Sequence, residues 1–158
     1  MPRSARHTSL LFGMVLSAAA AVAGCASTSP RDRDDARLAE YRAVAGEPVR
    51  SFRYFNLMSW EPLGDAALAV RTRPGEAWLL ELAGPCQDLV YVRNIGLTSS
   101  AGTVSARFDR VITGRSNIPC HIETIRPVDL RALREHERDE RSIEMRERPT
   151  EWGDDAGT

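Results

Sequence analysis

Hydrophobic and polar positions divide the chain into stretches with different periods. Leu10 to Ala23 holds only apolar or small residues and no charge. From Val49 to Arg126 apolar residues recur at every second position, the period of a half-buried strand. From Arg134 to Glu147 charge dominates, broken mainly by Ile143 and Met145. Ahead of the alternating stretch, Leu38, Tyr41 and Ala45 follow helical spacing. Asp32, Asp34 and Asp35 suit a helix start, where carboxylates meet free amides and the positive dipole end. Gly46 and Pro48 stop it. A short N-terminal helix of about three turns is predicted.

Within the alternating stretch, Phe52 and Tyr54 share one face of a first strand. Leu68, Val70 and Thr72 do so in a second, and Trp78, Leu80 and Leu82 in a third. Arg73-Pro74-Gly75-Glu76 joins the last two. Proline presets the first turn position and glycine accepts the positive φ of a type II turn, so a β-hairpin follows. Leu89 to Val92 predicts a fourth strand buried on both faces, continued by Ile95 to Ser99 after a bend at Gly96. Val104, Ala106 and Phe108 alternate next, extended or followed by Val111 to Thr113. Cys120, Ile122 and Thr124 alternate in the last strand.

Pro127-Val128-Asp129 opens a C-terminal helix with Asp129 as N-cap. Leu130 and Leu133 dock on the sheet. Beyond them the helix is expected to be solvated, with Glu137 and Arg141 as a four-apart ion pair. Arg148 to Thr158 reads as a disordered acidic tail. Short strands, tight turns and no intervening helix specify a mainly β, α+β fold. The expected form is a small antiparallel curled sheet or barrel of about six or seven strands, flanked by the two helices.

The apolar run near the N-terminus changes the picture from fold to address. Arg3 and Arg6 precede it, as in an export signal. The run is shorter than the roughly 20 residues needed to cross a bilayer. It ends in Val22-Ala23-Gly24-Cys25, which resembles a bacterial lipobox, with cleavage between Gly24 and Cys25 and acylation of Cys25. Ordinary signal cleavage after Ala23 or Ala26 is the alternative. Resemblance to Gram-negative lipoproteins implies three acyl chains. At about 0.8 kcal/mol per buried methylene, several chains anchor stably where one does not. Ala26, in place of an inner-membrane-retaining aspartate, implies outer-membrane attachment facing the periplasm. The chain therefore divides into a signal (1–24), a tether (25–33), a compact β-rich domain (34–133), and a charged helix with acidic tail (134–158).

Charge and cysteine usage narrow the partners. A formal net charge of −1 lacks the basic excess that phosphate-backbone binding needs, so nucleic acid is not an expected partner. All 21 basic residues are arginine, which removes lysine chemistry. With Cys25 committed to lipid, Cys86 and Cys120 remain, and an oxidising compartment pairs them as a disulfide.

Candidate chemistry is sparse. There is no Gly-x-Ser-x-Gly elbow, phosphate loop or dinucleotide fingerprint. His136 begins a run resembling a zinc-protease helix, but Glu140 occupies the second histidine's place. His121 and Glu123 share a strand face and suit either a metal or acid–base site or a plain surface contact. Asp109 either lines a pocket or bonds turn amides. Trp60 and Trp78 could offer an aromatic platform, although Trp78 alternates with Leu80 and Leu82 as a core residue does. Trp60, Asp109, His121 and Glu123 thus form the candidate ligand set. No metal or other cofactor is implied.

Trp60-x-x-Leu63, Ala67 to Val70, Ala77 to Leu82 and the spaced Cys86 together resemble a family of small Gram-negative envelope lipoproteins. Ser99 to Val111 and Ile118-Pro119-Cys120 through Val128 extend the resemblance, which spans Pro48 to Leu133. That family is catalogued as a domain of unknown function, so the resemblance implies no substrate or catalytic residue. The functional expectation is a lipid-anchored, periplasm-facing, non-enzymatic module that binds an envelope protein or maintains the envelope. The alternatives are a small-ligand-binding β-domain with an apolar pocket and, more remotely, a hydrolase or metal enzyme using His121, Glu123 and Asp109.

Overall fold

The hairpin read from Arg73-Pro74-Gly75-Glu76 is the centre of the structure. Strands β3 (Ala67–Arg73) and β4 (Glu76–Leu82) pair in register through Leu68–Leu80 and Val70–Trp78, and Gly75 takes the positive φ of 82° that the turn requires. The computed structural model describes residues 29–114 and 118–147. The lipobox at Cys25 and the acidic tail lie outside the described residues.

Around the hairpin, β2 (Ser59–Pro62), β5 (Gly96–Leu97), β7 (Arg110–Ile112) and β8 (Cys120–Val128) complete a curled antiparallel half-barrel in the order β2-β3-β4-β8-β7-β5. Strands β1 (Ser51–Arg53) and β6 (Thr103–Ser105) form a separate two-stranded ribbon. The mainly β, antiparallel expectation holds, with a short helix before the sheet and a charged one after it.

Alternation along β3 and β4 gives the sheet two apolar faces. Leu68, Val70, Leu80, Leu82, Ile122 and Ile125 point into one core, which Phe52 of β1, Val104 of β6 and Leu89 close. Trp78 packs there too, its ring stacked 4.9 Å from Phe52, in agreement with its core reading. Ala67, Ala69, Ala77, Leu79 and Val128 face the other way, beneath Tyr41, Leu130 and Leu133 of the helices. The small alanines on this face let a helix lie close to the sheet. The disulfide Cys86–Cys120, with Cα atoms 5.5 Å apart, ties the end of β4 to the start of β8 as expected.

Several expectations need correction. The last strand does not alternate as Cys120, Ile122, Thr124. Its register against β4 shifts where Leu82 opposes Ile122 and Glu81 opposes Thr124, leaving Glu123 as a bulge. The extra residue reverses the phase, so Ile125 joins Ile122 in the core and Thr124 turns to the helix face. The same strand continues through Pro127 and Val128, and the C-terminal helix α2 (Leu130–Glu147) starts directly after Asp129, where it was expected. Asp129 is its cap, accepting from the amides of Arg131 (2.8 Å) and Ala132 (3.1 Å).

Leu89–Tyr91 is a single 3-10 turn, not a strand buried on both faces. Asp88 enters it at a left-handed φ of 67°, and the amides of Leu89 and Tyr91 bond back to Cys86 and Asp88. Those bonds consume the groups a ladder would need. Leu89 drops into the core while Val90 and Tyr91 stay exposed. Periodicity cannot distinguish such a short apolar run from a strand. The run through Val104, Ala106 and Phe108 likewise stops at Ser105. Arg107 has a φ of 64° and Phe108 is turned out to solvent.

Helix α1 (Pro30–Ala43) begins inside the expected tether. Ser29 and Asp32 form a reciprocal capping box, with Pro30 in the first turn. The charged helix α2 is also not solvated on every side. Glu137 turns its carboxylate to Arg37 of α1 at 2.9 Å, while Arg141 donates to the Glu137 carbonyl instead of pairing with its side chain.

Candidate functional site

The bulge in β8 opens a groove beside it. The Arg107 amide donates to the Ile122 carbonyl, and the Val49 amide donates to the Ile125 carbonyl at 2.8 Å. Glu123 and Thr124 lie between these two attachments. There the β1–β6 ribbon and β8 part around an open groove of about 540 Å³. Arg50 and Ser51 come from the start of β1, Ser105 to Arg107 from the end of β6, and Glu123 to Arg126 from β8. Pro48, Val49, Ala106 and Ile125 supply aliphatic lining.

The polar lining has a definite chemistry. Three arginines and the hydroxyl-bearing Ser51, Ser105 and Thr124 supply donors, with Glu123 as the one acidic residue. Arg107 pairs with Glu123 at 3.1 Å, but their side chains are 80% and 48% exposed. Such a pair contributes little to folding and can open for a competing anion. Arg126 Nε is buried without a hydrogen-bond partner among the described residues, 4.0 Å from the nearest Glu81 oxygen. Guanidinium groups suit planar, bidentate capture of carboxylate or phosphate.

The sequence-derived set does not converge. Glu123 lines the groove, while His121 is exposed two residues away and lies opposite Arg110 of β7. Asp109 is buried, with one oxygen accepting from the Thr98 hydroxyl and the other from the Ser105 amide, both at 2.7 Å. Of its two readings, the turn-bonding one describes it. Trp60 sits on β2 and packs against the main core. Among the described residues no group of three or more His, Cys, Asp or Glu could hold a metal ion.

A second polar cluster escaped the sequence reading. Arg37 reaches three carboxylates: Glu40 at 2.6 Å, Glu61 at 2.9 Å and Glu137 at 2.9 Å. The Tyr41 hydroxyl donates to the other Glu61 oxygen at 2.6 Å. Burial alone would push the Glu61 carboxyl up. Hydrogen bonds from Arg37 and Tyr41, with the charges of Arg37 and Arg71, outweigh it and hold Glu61 below its ordinary value. Burial and the Glu61 bond push the Tyr41 hydroxyl up to about 12. The cluster fastens α1, α2 and β2 to one another. Its members are spread from position 37 to 137, and no local motif signals it.

The missed groove residues, Arg50, Arg107 and Arg126, had only one sequence signal, the exclusive use of arginine. Scattered along the chain, they form no local cluster. No curated protein and no solved structure matches the chain. One family model does, and it runs beyond Pro48–Leu133 in both directions. It covers residues 7–144, and the chain accordingly belongs to the DUF6491 family, a family of unknown function.

Proposed function

We propose that the protein is a lipid-anchored, periplasm-facing module of the cell envelope that works by binding, through the groove between β8 and the β1–β6 ribbon. The groove carries this reading: three arginines and three hydroxyl-bearing residues line one open concavity, with their only acid in an exposed pair. Carboxylate or phosphate groups on an envelope component are the ligand class that this lining accepts. Support for the address comes from the lipobox at Cys25, whose segment falls within the matched family region, and from the Cys86–Cys120 disulfide, a bond typical of oxidising compartments.

Two experiments test the two halves of the proposal. Mass analysis of the protein from membranes should find Cys25 as an acylated N-terminus, and Cys25→Ser should release the chain to the soluble fraction. An unmodified N-terminus elsewhere refutes the anchor. For binding, crosslinking in intact cells should capture an envelope partner that the Arg50→Glu, Arg107→Glu double variant loses. Capture unaffected by that variant refutes the groove.

A further inference from the structure

We infer that the disulfide end of the domain rests on the lipid surface, with Val90 and Tyr91 as its contact residues. This rests on the anchor reading of Cys25. Helix α1 starts at Pro30 with Ser29 as its cap. The four steps from Cys25 to Ser29 span at most about 14 Å when fully extended. An acylated Cys25 therefore holds the start of α1 close to the bilayer, and the end of the domain that shares this position must face it.

That end is identified by short contacts. A Cβ placed on Gly64, in the β2–β3 turn, would lie 3.8 Å from the Asp34 Cβ in the second turn of α1. The next residue, Asp65, accepts a hydrogen bond from the Cys86 amide at 2.7 Å, and Ala66 accepts one from Leu82 at 2.8 Å. The start of α1, the β2–β3 turn and the disulfide are thus neighbours. The 3-10 turn follows Cys86 and leaves Val90 39% and Tyr91 76% exposed. Ile112 on β7, beside the Val111 that pairs with Cys120, and Ile118 are exposed in the same region.

Exposed apolar residues also occur at the other end, where Phe55 and Met58 lie near the β3–β4 hairpin. The Met58 amide bonds to Arg71, and the Arg73 guanidinium lies 5.4 Å from the Phe55 ring centre. The seven residues of β3 separate the two ends by roughly 20 Å. The tether is shorter than that, so it selects the disulfide end. A tyrosine beside aliphatic residues suits a bilayer interface, where an apolar ring and a polar hydroxyl are both accommodated. Charges at this end are mixed, with Arg31, Arg33, Arg93 and Arg110 against Asp32, Asp34, Asp35, Asp65 and Asp88, so the apolar residues and the short tether carry the contact.

The test couples the Cys25 thiol, in the chain from Cys25 onward, directly to a maleimide-bearing lipid, which keeps the tether at its native length. The vesicles also contain phosphatidylglycerol and phosphatidylethanolamine with brominated acyl chains. Tyr91→Trp and Phe55→Trp are compared with the parent chain; both positions are more than 70% exposed, so the fold tolerates either change. The expected result is loss of most of the added emission at position 91 and none at 55. Unquenched emission at 91, or equal quenching at both, overturns the orientation. Because the maleimide lipid replaces the acyl anchor, this outcome is independent of whether Cys25 is acylated in cells. Acylation is read separately from the mass of the membrane-derived protein.

Discussion

Replacing Cys86 and Cys120 together by alanine is expected to lower the unfolding free energy by about 3.8 kcal/mol. The two residues are 34 apart in sequence. Chain entropy for a loop of that length amounts to about 12.6 cal/mol/K, which gives roughly 3.8 kcal/mol at 298 K before any native strain is subtracted. The effect should concentrate in residues 87–119, where β5, β6 and β7 contribute only two or three ladder residues each. Few regular hydrogen bonds hold that segment, so the covalent link restricts it most. Urea unfolding followed by tryptophan emission suits the measurement, because Trp60 and Trp78 pack against the affected core. Comparing the double variant with the native chain under reductant separates the lost link from lost packing at the buried Cys86. A difference below about 1 kcal/mol between oxidised and double-alanine protein would refute the chain-entropy reasoning. Two free thiols in peptide maps of periplasm-derived protein would refute the pairing itself.

Other outcomes follow from the same geometry. Ile125→Ala should cost about 2–5 kcal/mol, against less than about 1 for Thr124→Ala, because the bulge at Glu123 sends only Ile125 into the core; similar losses in urea titrations would contradict the register. Tyr41→Phe should cost about 1.5 kcal/mol, the low end for a hydrogen bond to a charged group, since the Glu61 side chain is 40% exposed. The stability from Glu61 should be complete above its ordinary value of 4.5 and fall away as pH drops through its lowered native value. The contribution of Tyr41 should be complete below pH 10 and disappear as pH rises towards about 12, a limb that Tyr41→Phe removes from a stability–pH curve. Asp109→Ala strands the half-buried Ser105 amide and Thr98 hydroxyl, so a loss of about 1 kcal/mol is expected; unchanged thermal unfolding would show that water replaces the carboxylate.

Local rules made part of this protein legible from its residues. Pro74-Gly75 specifies the hairpin because the backbone angles it needs belong to those two residue types. Asp129 specifies a helix start because its side chain reaches amides only two and three positions on. The disulfide follows from cysteine arithmetic once Cys25 is assigned to lipid, and the two-residue period marks the central hairpin β3–β4.

Tertiary structure decided what depends on distant partners. The bulge at Glu123 shows only in the pairing of β8 with β4, where Glu81 opposes Thr124 and Leu82 opposes Ile122. Nothing in Cys120 to Val128 read alone reveals the change of phase. Leu89 to Tyr91 turns instead of extending because Cys86 is pinned to both Cys120 and Asp65. Arg37 gathers carboxylates from its own helix, β2 and α2, and the groove collects Arg50, Arg107 and Arg126 from three separate segments of the chain. Such clusters are held by pairings between segments dozens of residues apart. Their chemistry emerges only when the sheet curls and brings those segments together.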